Sequence, residues 1–297
     1  MDAIFAINST QYPAGSCLVF ALTEGGSFNI QVFRDLFFNR IISFKKDQEF
    51  LYQKLQQNWT NFLGFAFWRR DPYFNLRNHI RNFDYQGEMA LPSPCNQADI
   101  VKLAGQFQDL KWLGNQSPWE ILLIPDYLSS KLEKHSVVIF RLHHILLDGY
   151  SFISLIRQLF QLPCEIPKCK LISDAQLSKF ECLALPLQIF YEIADYSVEI
   201  FSLRRFNFNC REGSSVCAVT EPMSIEFIKF IKNKFGVSFS TVIHAALAGA
   251  IQKALKDINE DVPESLNFAF PIPKANHPDG LINDVYARNS HNYINWK

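Results

Sequence analysis

In the first half of the chain, short apolar runs typical of strands alternate with segments whose apolar residues have helical spacing. Short apolar runs at residues 16–22, 62–68, 119–125 and 136–143 predict buried strands, the third of them ended by Pro125. The run at 136–143, Ser-Val-Val-Ile-Phe-Arg-Leu-His, is the strongest strand signal in the sequence.

Apolar residues at helical spacing lie between these runs. They predict helices at residues 29–42, with Asn29 as the N-cap, at residues 97–110 and at residues 149–161. The third helix follows closely on the strand at 136–143. Strands and helices therefore alternate in this half, which predicts an α/β architecture.

The regular pattern is interrupted near the middle of the chain. Residues 161–185 contain Pro163 and Pro167 and have no clean period, so we interpret them as a linker. An apolar helix is predicted at residues 186–205, and together these segments form a crossover over residues 161–213.

A second block of regular elements begins near residue 214. It contains helices predicted at residues 222–235, with Gly236 as the stop, and at residues 239–256, and a strand predicted at residues 266–272. The expected organisation is an N-terminal domain, a crossover and the start of a C-terminal domain, at residues 1–160, 161–213 and 214–297.

Composition and charge narrow the class of protein. The 297 residues include 29 Lys and Arg and 29 Asp and Glu, so the formal net charge is zero. A nucleic acid partner needs a basic surplus, which this chain lacks. Hydrophobic residues make up 48% and charged residues 20%, which excludes a disordered chain. The 28 phenylalanines indicate a large apolar core, with the lining of an apolar tunnel as the alternative.

The cysteines and the N-terminus indicate the compartment. The seven cysteines are odd in number and include no Cys-x-x-Cys pair, so we interpret them as free thiols in a reducing environment. The N-terminus carries Asp2 and no apolar stretch typical of a signal peptide. No run reaches the ~18 apolar residues of a transmembrane helix, so we expect any membrane contact to be peripheral.

The strongest candidate for chemistry is the motif HHILLDG at residues 143–149, directly after the predicted strand. A neutral imidazole at a strand end can act as a general base. Adjacent strand residues point to opposite faces, so only one of His143 and His144 can face a given cleft. Asp148 can hold the turn backbone or pair with an arginine. Because the two imidazoles point to opposite faces, they cannot bind one metal ion together with Asp148, and no metal is expected.

Several other residues stand out near the motif. Arg141 shares a strand face with His143, and the sequence leaves open whether it pairs with an acid or is solvated. Trp119 and Glu120 are expected to fix the entry of a strand. His79 is expected to be a packed or surface histidine, with an acceptor channel as the alternative.

The motif and its setting resemble the acyl-CoA-dependent acyltransferases of the chloramphenicol acetyltransferase-like fold. More narrowly, the chain resembles the bifunctional wax ester synthase/diacylglycerol acyltransferase family over nearly its whole length. Matching segments occur in the family's order at residues 1–5, 71–81, 91–92, 117–120, 143–149 and 245–250. Departures fall at Asn75, at Ser240-Thr241 and in Pro118-Trp119, where the family's leucine is missing. The resemblance implies an α/β, two-domain fold with mixed sheets flanked by helices.

The resemblance also implies a mechanism. His144 would be the general base that takes the proton of an acceptor hydroxyl, while His143 would be structural and Asp148 would hold the motif turn. The acyl donor would be a fatty acyl-CoA, a co-substrate rather than a cofactor, and no cofactor is implied. The acceptor would be a long-chain alcohol or diacylglycerol.

The resemblance implies a location and leaves alternatives. A peripheral site on the endoplasmic reticulum or plasma membrane would suit the lipid substrates. Related chains continue beyond the point that matches residue 297, so we expect the second domain to be truncated and the chain to be weakly active or inactive alone. The alternatives are an acyltransferase of the same fold with another alcohol or an amine as acceptor, and an inactive fragment that binds acyl-CoA or lipid.

Overall fold

The computed structural model describes residues 16–23, 29–63, 65–112, 116–129, 133–163, 190, 194, 215–262, 268–273, 277–281 and 285–290. The strands in these ranges are β1 (Ser16–Thr23), β2 (Lys45–Lys46), β3 (Glu49–Phe50), β4 (Gln57–Phe62), β5 (Phe65–Arg70), β6 (Ile80–Asn82), β7 (Trp119–Leu128), β8 (Lys134–His143), β9 (Phe268–Pro273) and β10 (Val285–Ser290). The helices are α1 (Ile30–Phe37), α2 (Leu76–His79), α3 (Gln97–Asp109), α4 (Gly149–Phe160), α5 (Ile225–Phe235) and α6 (Phe239–Asp257).

A mixed four-stranded sheet lies at the centre, with the strand order β1-β8-β7-β6. β8 is antiparallel to both β1 and β7, and β6 is parallel to β7. The register places Trp119 beside Leu142 and Glu120 beside Arg141. The histidine motif therefore leaves the sheet from an interior strand.

Both faces of β8 are buried, because side chains alternate between two covering layers. One face packs on α1 and α4 through a large core that includes Phe37, Phe140 and Leu155. The other face packs on α3 through a smaller core that includes Phe107 and Ile139. This sandwiching predicts little freedom for the strand that carries the motif.

The ends of the helices follow from local capping. The side chain of Asn29 accepts hydrogen bonds from the backbone of Gln31 and Val32, as the N-cap prediction requires. α1 continues into one wider turn over Phe38–Ile42, which covers the rest of the helix predicted at 29–42. α5 ends at Gly236, whose φ of +64° is the left-handed conformation that glycine tolerates best.

Two strand predictions were wrong in detail. The run predicted as one strand at 62–68 spans the turn of the β4–β5 hairpin. β7 does not end at Pro125 but continues to Leu128. The pairing of β7 with β8 is irregular between Ile124 and Tyr127. Pro125 lies in this irregular part, where its missing N–H does not interrupt a regular series of hydrogen bonds.

The second half of the chain contributes α5, α6 and the antiparallel pair β9–β10. Both helix predictions and the strand prediction at 266–272 are confirmed within a few residues, while β10 was not predicted. Most of the predicted linker at 161–185 lies outside the described residues. The helix predicted at 186–205 does too, apart from residues 190 and 194, which are helical.

Candidate active site

The motif begins where β8 ends. The backbone N–H of His143 donates to the Pro118 carbonyl at 2.9 Å, which ties the strand end to the start of β7. The Leu146 N–H then donates to the His143 carbonyl at 3.0 Å and closes a tight turn. Leu146 and Leu147 are completely buried in the larger core, so the turn is anchored from within.

His143 is enclosed and held in a single orientation. Its side chain is buried, and Nδ1 accepts a hydrogen bond from the Ile145 N–H at 3.0 Å. The ring centroid lies 5.0 Å from that of Trp59 and 6.4 Å from that of Trp112. Burial, reinforced by the nearby charges of His144 and Arg141, lowers the pKa of His143 to about 4. The ring is therefore neutral at pH 7, with its proton on Nε2.

This lowered pKa predicts acid sensitivity of the fold. Between the ordinary histidine value of 6.5 and about 4, the unfolded chain binds a proton that folded His143 does not. The free energy of unfolding should therefore fall by up to about 3 kcal/mol as the pH drops through this window. His143→Asn keeps an acceptor for the Ile145 N–H without titrating, so urea unfolding of this variant should lose that part of the pH dependence. An unchanged pH dependence would contradict the assignment.

His144 has a different environment from its neighbour. It is the first residue of the turn after β8 and is half-buried, whereas His143 is only 1% exposed. Of the two histidines, His144 is thus the more exposed residue, although its Nδ1 atom is buried.

Asp148 joins the motif to the helix that follows it. It is the N-cap of α4, and its Oδ1 accepts a hydrogen bond from the Ser151 N–H at 2.9 Å. Its Oδ2 lies 2.8 Å from Nε2 of His277. The first contact is the backbone tie that the sequence allowed, while the second partner is a histidine rather than the arginine that was considered.

The sequence analysis did not single out His277. The letters Pro278-Asp279-Gly280 after it are a turn signal, which predicts a loop but not its partner. Only the folded chain brings this histidine, 129 residues along the sequence, to Asp148.

The segments at 71–81 and 117–120 pack together beside the motif strand. Asp71 is buried, and its carboxylate accepts hydrogen bonds from the Tyr73 and Ser117 backbones at 2.9 and 3.4 Å. His79 is also buried; its Nδ1 lies 2.7 Å from the Trp119 carbonyl, and its ring stacks 4.5 Å from that of Trp119. Burial lowers the pKa of His79. These contacts confirm that His79 is packed.

A buried carboxylate organises the other side of the sheet. Glu120 is paired with Arg141 at 2.8 Å and with Arg81 at 2.9 Å, and it accepts the Tyr85 hydroxyl at 3.0 Å. Burial, followed by the charge of Glu120, raises the pKa of Tyr85 to about 12. The question left open for Arg141 is therefore answered, because it pairs with an acid. Its guanidinium also lies 3.8 Å from the centre of the Trp112 ring.

A polar cleft of about 300 Å³ opens beside this network. Its lining comprises Asn78, His79, Arg81, Asp84, Tyr85, Lys111, Trp112, Gln116, Ser117, Trp119, Glu120 and Arg141. His79 is thus both packed and part of a cleft wall. In the part of the chain that the structure describes, no three His, Cys, Asp or Glu side chains converge as a metal site requires.

None of the described helices is long and apolar enough to cross a bilayer by itself. α5 and α6, which meet at an angle of 101°, reach the required length and composition only when they are counted together.

The fold is shared with two groups of solved structures. It is similar to the wax ester synthase/diacylglycerol acyltransferase of Marinobacter aquaeolei VT8, with a TM-score of 0.51 and 16% identity over 90% of this chain and 61% of that chain. It is also similar to the first condensation domain of the calcium-dependent antibiotic synthetase, with a TM-score of 0.51 and 10% identity over 97% of this chain and 66% of that one. These likenesses define a chloramphenicol acetyltransferase-like α/β fold, as predicted.

Sequence comparison identifies the family within this fold. Residues 2–174 match the wax ester synthase/diacylglycerol acyltransferase catalytic domain, and the chain belongs to this family. A protein of Mycobacterium tuberculosis (strain CDC 1551 / Oshkosh), described as a candidate diacylglycerol O-acyltransferase, is 20% identical over 213 residues. That match covers 63% of this chain and 41% of the relative. The chain thus spans about two fifths of this relative and three fifths of the Marinobacter enzyme.

Proposed function

We propose that this chain is part of an O-acyltransferase that moves a fatty acyl group from acyl-CoA to a long-chain alcohol or diacylglycerol. The observation that carries the proposal is the motif turn, in which the partly exposed His144 follows the buried His143 and precedes the buried helix cap Asp148. Membership of an acyltransferase family supports the reaction class.

His144 is the general base in this proposal. Its imidazole takes the proton of the acceptor hydroxyl as the oxygen attacks the carbonyl carbon of the acyl thioester. The tetrahedral adduct then collapses, the carbon–sulfur bond breaks, and the imidazolium returns its proton to the CoA sulfur. The ester and free CoA leave, and the base is regenerated without an acyl-enzyme or a cofactor.

His143 and Asp148 support the base without touching the substrate. His143 packs against the Trp59 and Trp112 rings and accepts the Ile145 N–H, which shapes the turn. Asp148 fixes the other end of the turn to the first residues of α4. Positioning a base in this way matters because small displacements of a reacting group are costly in rate.

A second candidate keeps the fold and changes the acceptor to another alcohol or an amine. The similarity in fold to a condensation domain favours keeping this candidate. A third candidate is an inactive fragment that binds acyl-CoA or lipid, and an assay has to distinguish it from the two enzymes.

The proposal is tested by incubating the chain with palmitoyl-CoA and one acceptor at a time, hexadecanol, diacylglycerol or an alkyl amine, followed by lipid extraction and chromatography. We expect a low rate of wax ester or triacylglycerol formation, in step with the release of free CoA. Amide as the main product would favour the second candidate. CoA release that does not depend on an acceptor, or no product at all, would contradict the proposal for this chain.

We further propose that α5 contacts an anionic lipid surface. Phe227 and Phe230 are 58% and 62% exposed, although the same helix buries Ile228 on its inner side. Lys229 and Lys234 are exposed on the same helix. Exposed aromatic rings with flanking lysines are typical of helices that lie in a membrane interface.

Replacing both Phe227 and Phe230 with serine should weaken binding to vesicles of phosphatidylcholine and phosphatidylserine by roughly tenfold or more, because apolar surface leaves the interface. Co-flotation with vesicles measures this binding. The matched control is Phe67→Ser, since Phe67 is 51% exposed on another element. Equal loss in the control, or no binding by the wild type, would contradict docking through α5.

A further inference from the structure

A buried contact links the motif to the second half of the chain. His277 Nε2 lies 2.8 Å from Asp148 Oδ2, and both residues are almost fully enclosed, at 3% and 2% exposed. Buried polar pairs of this kind persist only when their hydrogen bonds are satisfied. The positions of the protons in this pair are therefore constrained by the atoms around it.

Both ring nitrogens of His277 make a hydrogen bond to an oxygen atom. Nδ1 lies 2.8 Å from the Pro278 carbonyl oxygen, which can only accept, so Nδ1 carries a proton. Nε2 shares one proton with Oδ2 of Asp148 in the second hydrogen bond. Because both nitrogens are used, the ring is held in one orientation.

The loop that carries His277 is fastened independently of this contact. Asp279 forms an ion pair with Lys46, and the side chain of Leu281 is buried in the larger core. Gly280 has a φ of +99°, and a Cβ there would lie 3.0 Å from the Leu51 carbonyl oxygen. Only glycine fits this close approach without strain. His277 therefore meets Asp148 from a fixed position.

Residues of α4 and of the loop at 277–281 surround the pair. The Tyr150 ring from α4 lies 4.6 Å from the His277 ring, and the ion pair of Asp279 with Lys46 holds the same loop. Asp148 Oδ1 accepts the Ser151 N–H at the start of α4, and Oδ2 faces His277. Losing the histidine would remove the contact that joins this loop to the cap of α4.

We propose that His277 is a positioning residue of the active site, which holds Asp148 and thereby the turn that presents His144. The role in catalysis rests on the proposed function. The contact itself does not, so the two can be tested separately.

The first test compares two substitutions of His277. The amide nitrogen of His277→Gln can occupy the place of Nε2 and donate to Asp148, whereas His277→Leu removes the donor. We expect kcat to fall by about 10²-fold in the leucine variant, with KM for acyl-CoA nearly unchanged, because the base is misplaced rather than the substrate lost. The glutamine variant should stay within about threefold of the wild type. Equal losses in both variants, or none in either, would overturn the proposal.

A matched control uses a histidine that lies far from the motif. His135 of β8 contacts the Thr23 carbonyl at 3.1 Å, far from the motif, so His135→Leu should leave kcat unchanged. Circular dichroism of each variant checks folding before its rate is compared.

The second test needs no activity. Nitrogen NMR of histidine-labelled protein, with His277→Gln used to assign the signals, should show a hydrogen bond at both ring nitrogens of His277. The Nε2 signal should shift in Asp148→Asn, while the Nδ1 signal should keep its position. An Nε2 signal that Asp148→Asn leaves unchanged would overturn the proposal. If the wild type transferred no acyl group at all, the proposed function would fail while this measurement still decided the contact.

Discussion

Replacing His144 with alanine is expected to lower the rate of acyl transfer by about 10²–10⁴-fold, which is the usual contribution of a general base. In the proposed mechanism His144 meets the incoming hydroxyl, because it is partly exposed whereas His143 is buried, packs against Trp59 and Trp112 and accepts the Ile145 N–H. Product formation from palmitoyl-CoA and the best acceptor of the wild type measures the effect.

The fold should survive this substitution, because the turn is held in place by the residues that follow His144. Leu146 and Leu147 are completely buried, and Asp148 caps α4. His135→Ala is the matched control and should retain full activity. A folded His144→Ala protein with near wild-type turnover would show that the base lies elsewhere.

Replacing Glu120 with glutamine is expected to cause the largest loss of stability, about 3–5 kcal/mol, because it leaves buried Arg141 without its countercharge. Glu120 is 5% exposed and lies 2.8 Å from Arg141, which is 2% exposed. An amide cannot compensate two guanidinium groups, and the Tyr85 hydroxyl loses its charged acceptor. Urea unfolding of both proteins measures the difference in the free energy of unfolding.

Two controls distinguish the effect of burying an unpaired charge from the effect of losing an exposed ion pair. Asp84→Asn removes an exposed partner of Arg81 and should cost less than about 1 kcal/mol. Replacing Glu120 and Arg141 together with leucine and methionine should destabilise less than Glu120→Gln alone, because the buried Arg141 is then absent and Arg81 keeps Asp84 as its partner. A Glu120→Gln protein as stable as the wild type would refute the role assigned to this network.

Much of the local structure followed from periodicity and capping. The strand that ends at His143 and the helix that starts after Asp148 are confirmed, since β-branched runs and amphipathic spacing depend on near neighbours. The hairpin within 62–68 was missed because a continuous apolar run hides its turn, where Leu63 adopts a φ of +50°. The predicted end of β7 at Pro125 was wrong because the pairing of the strands is irregular there and continues beyond the proline.

The partners across the fold could not be predicted from one sequence. Glu120 was expected only to fix a strand entry, yet it joins Arg81 and Arg141 from two other strands. His277 gave no signal beyond a turn, because its partner lies 129 residues away. Such pairs depend on which elements the topology brings together, and neither spacing nor composition encodes that.

The most direct test of His144 as the base is the pH dependence of kcat/KM for acyl transfer. The base must be neutral to take the hydroxyl proton, so kcat/KM of the wild type should fall as the pH is lowered. The residual rate of His144→Ala should lack this fall. A wild-type profile that stays flat as the pH is lowered, or a His144→Ala profile that falls in the same way as the wild type, would contradict the assignment.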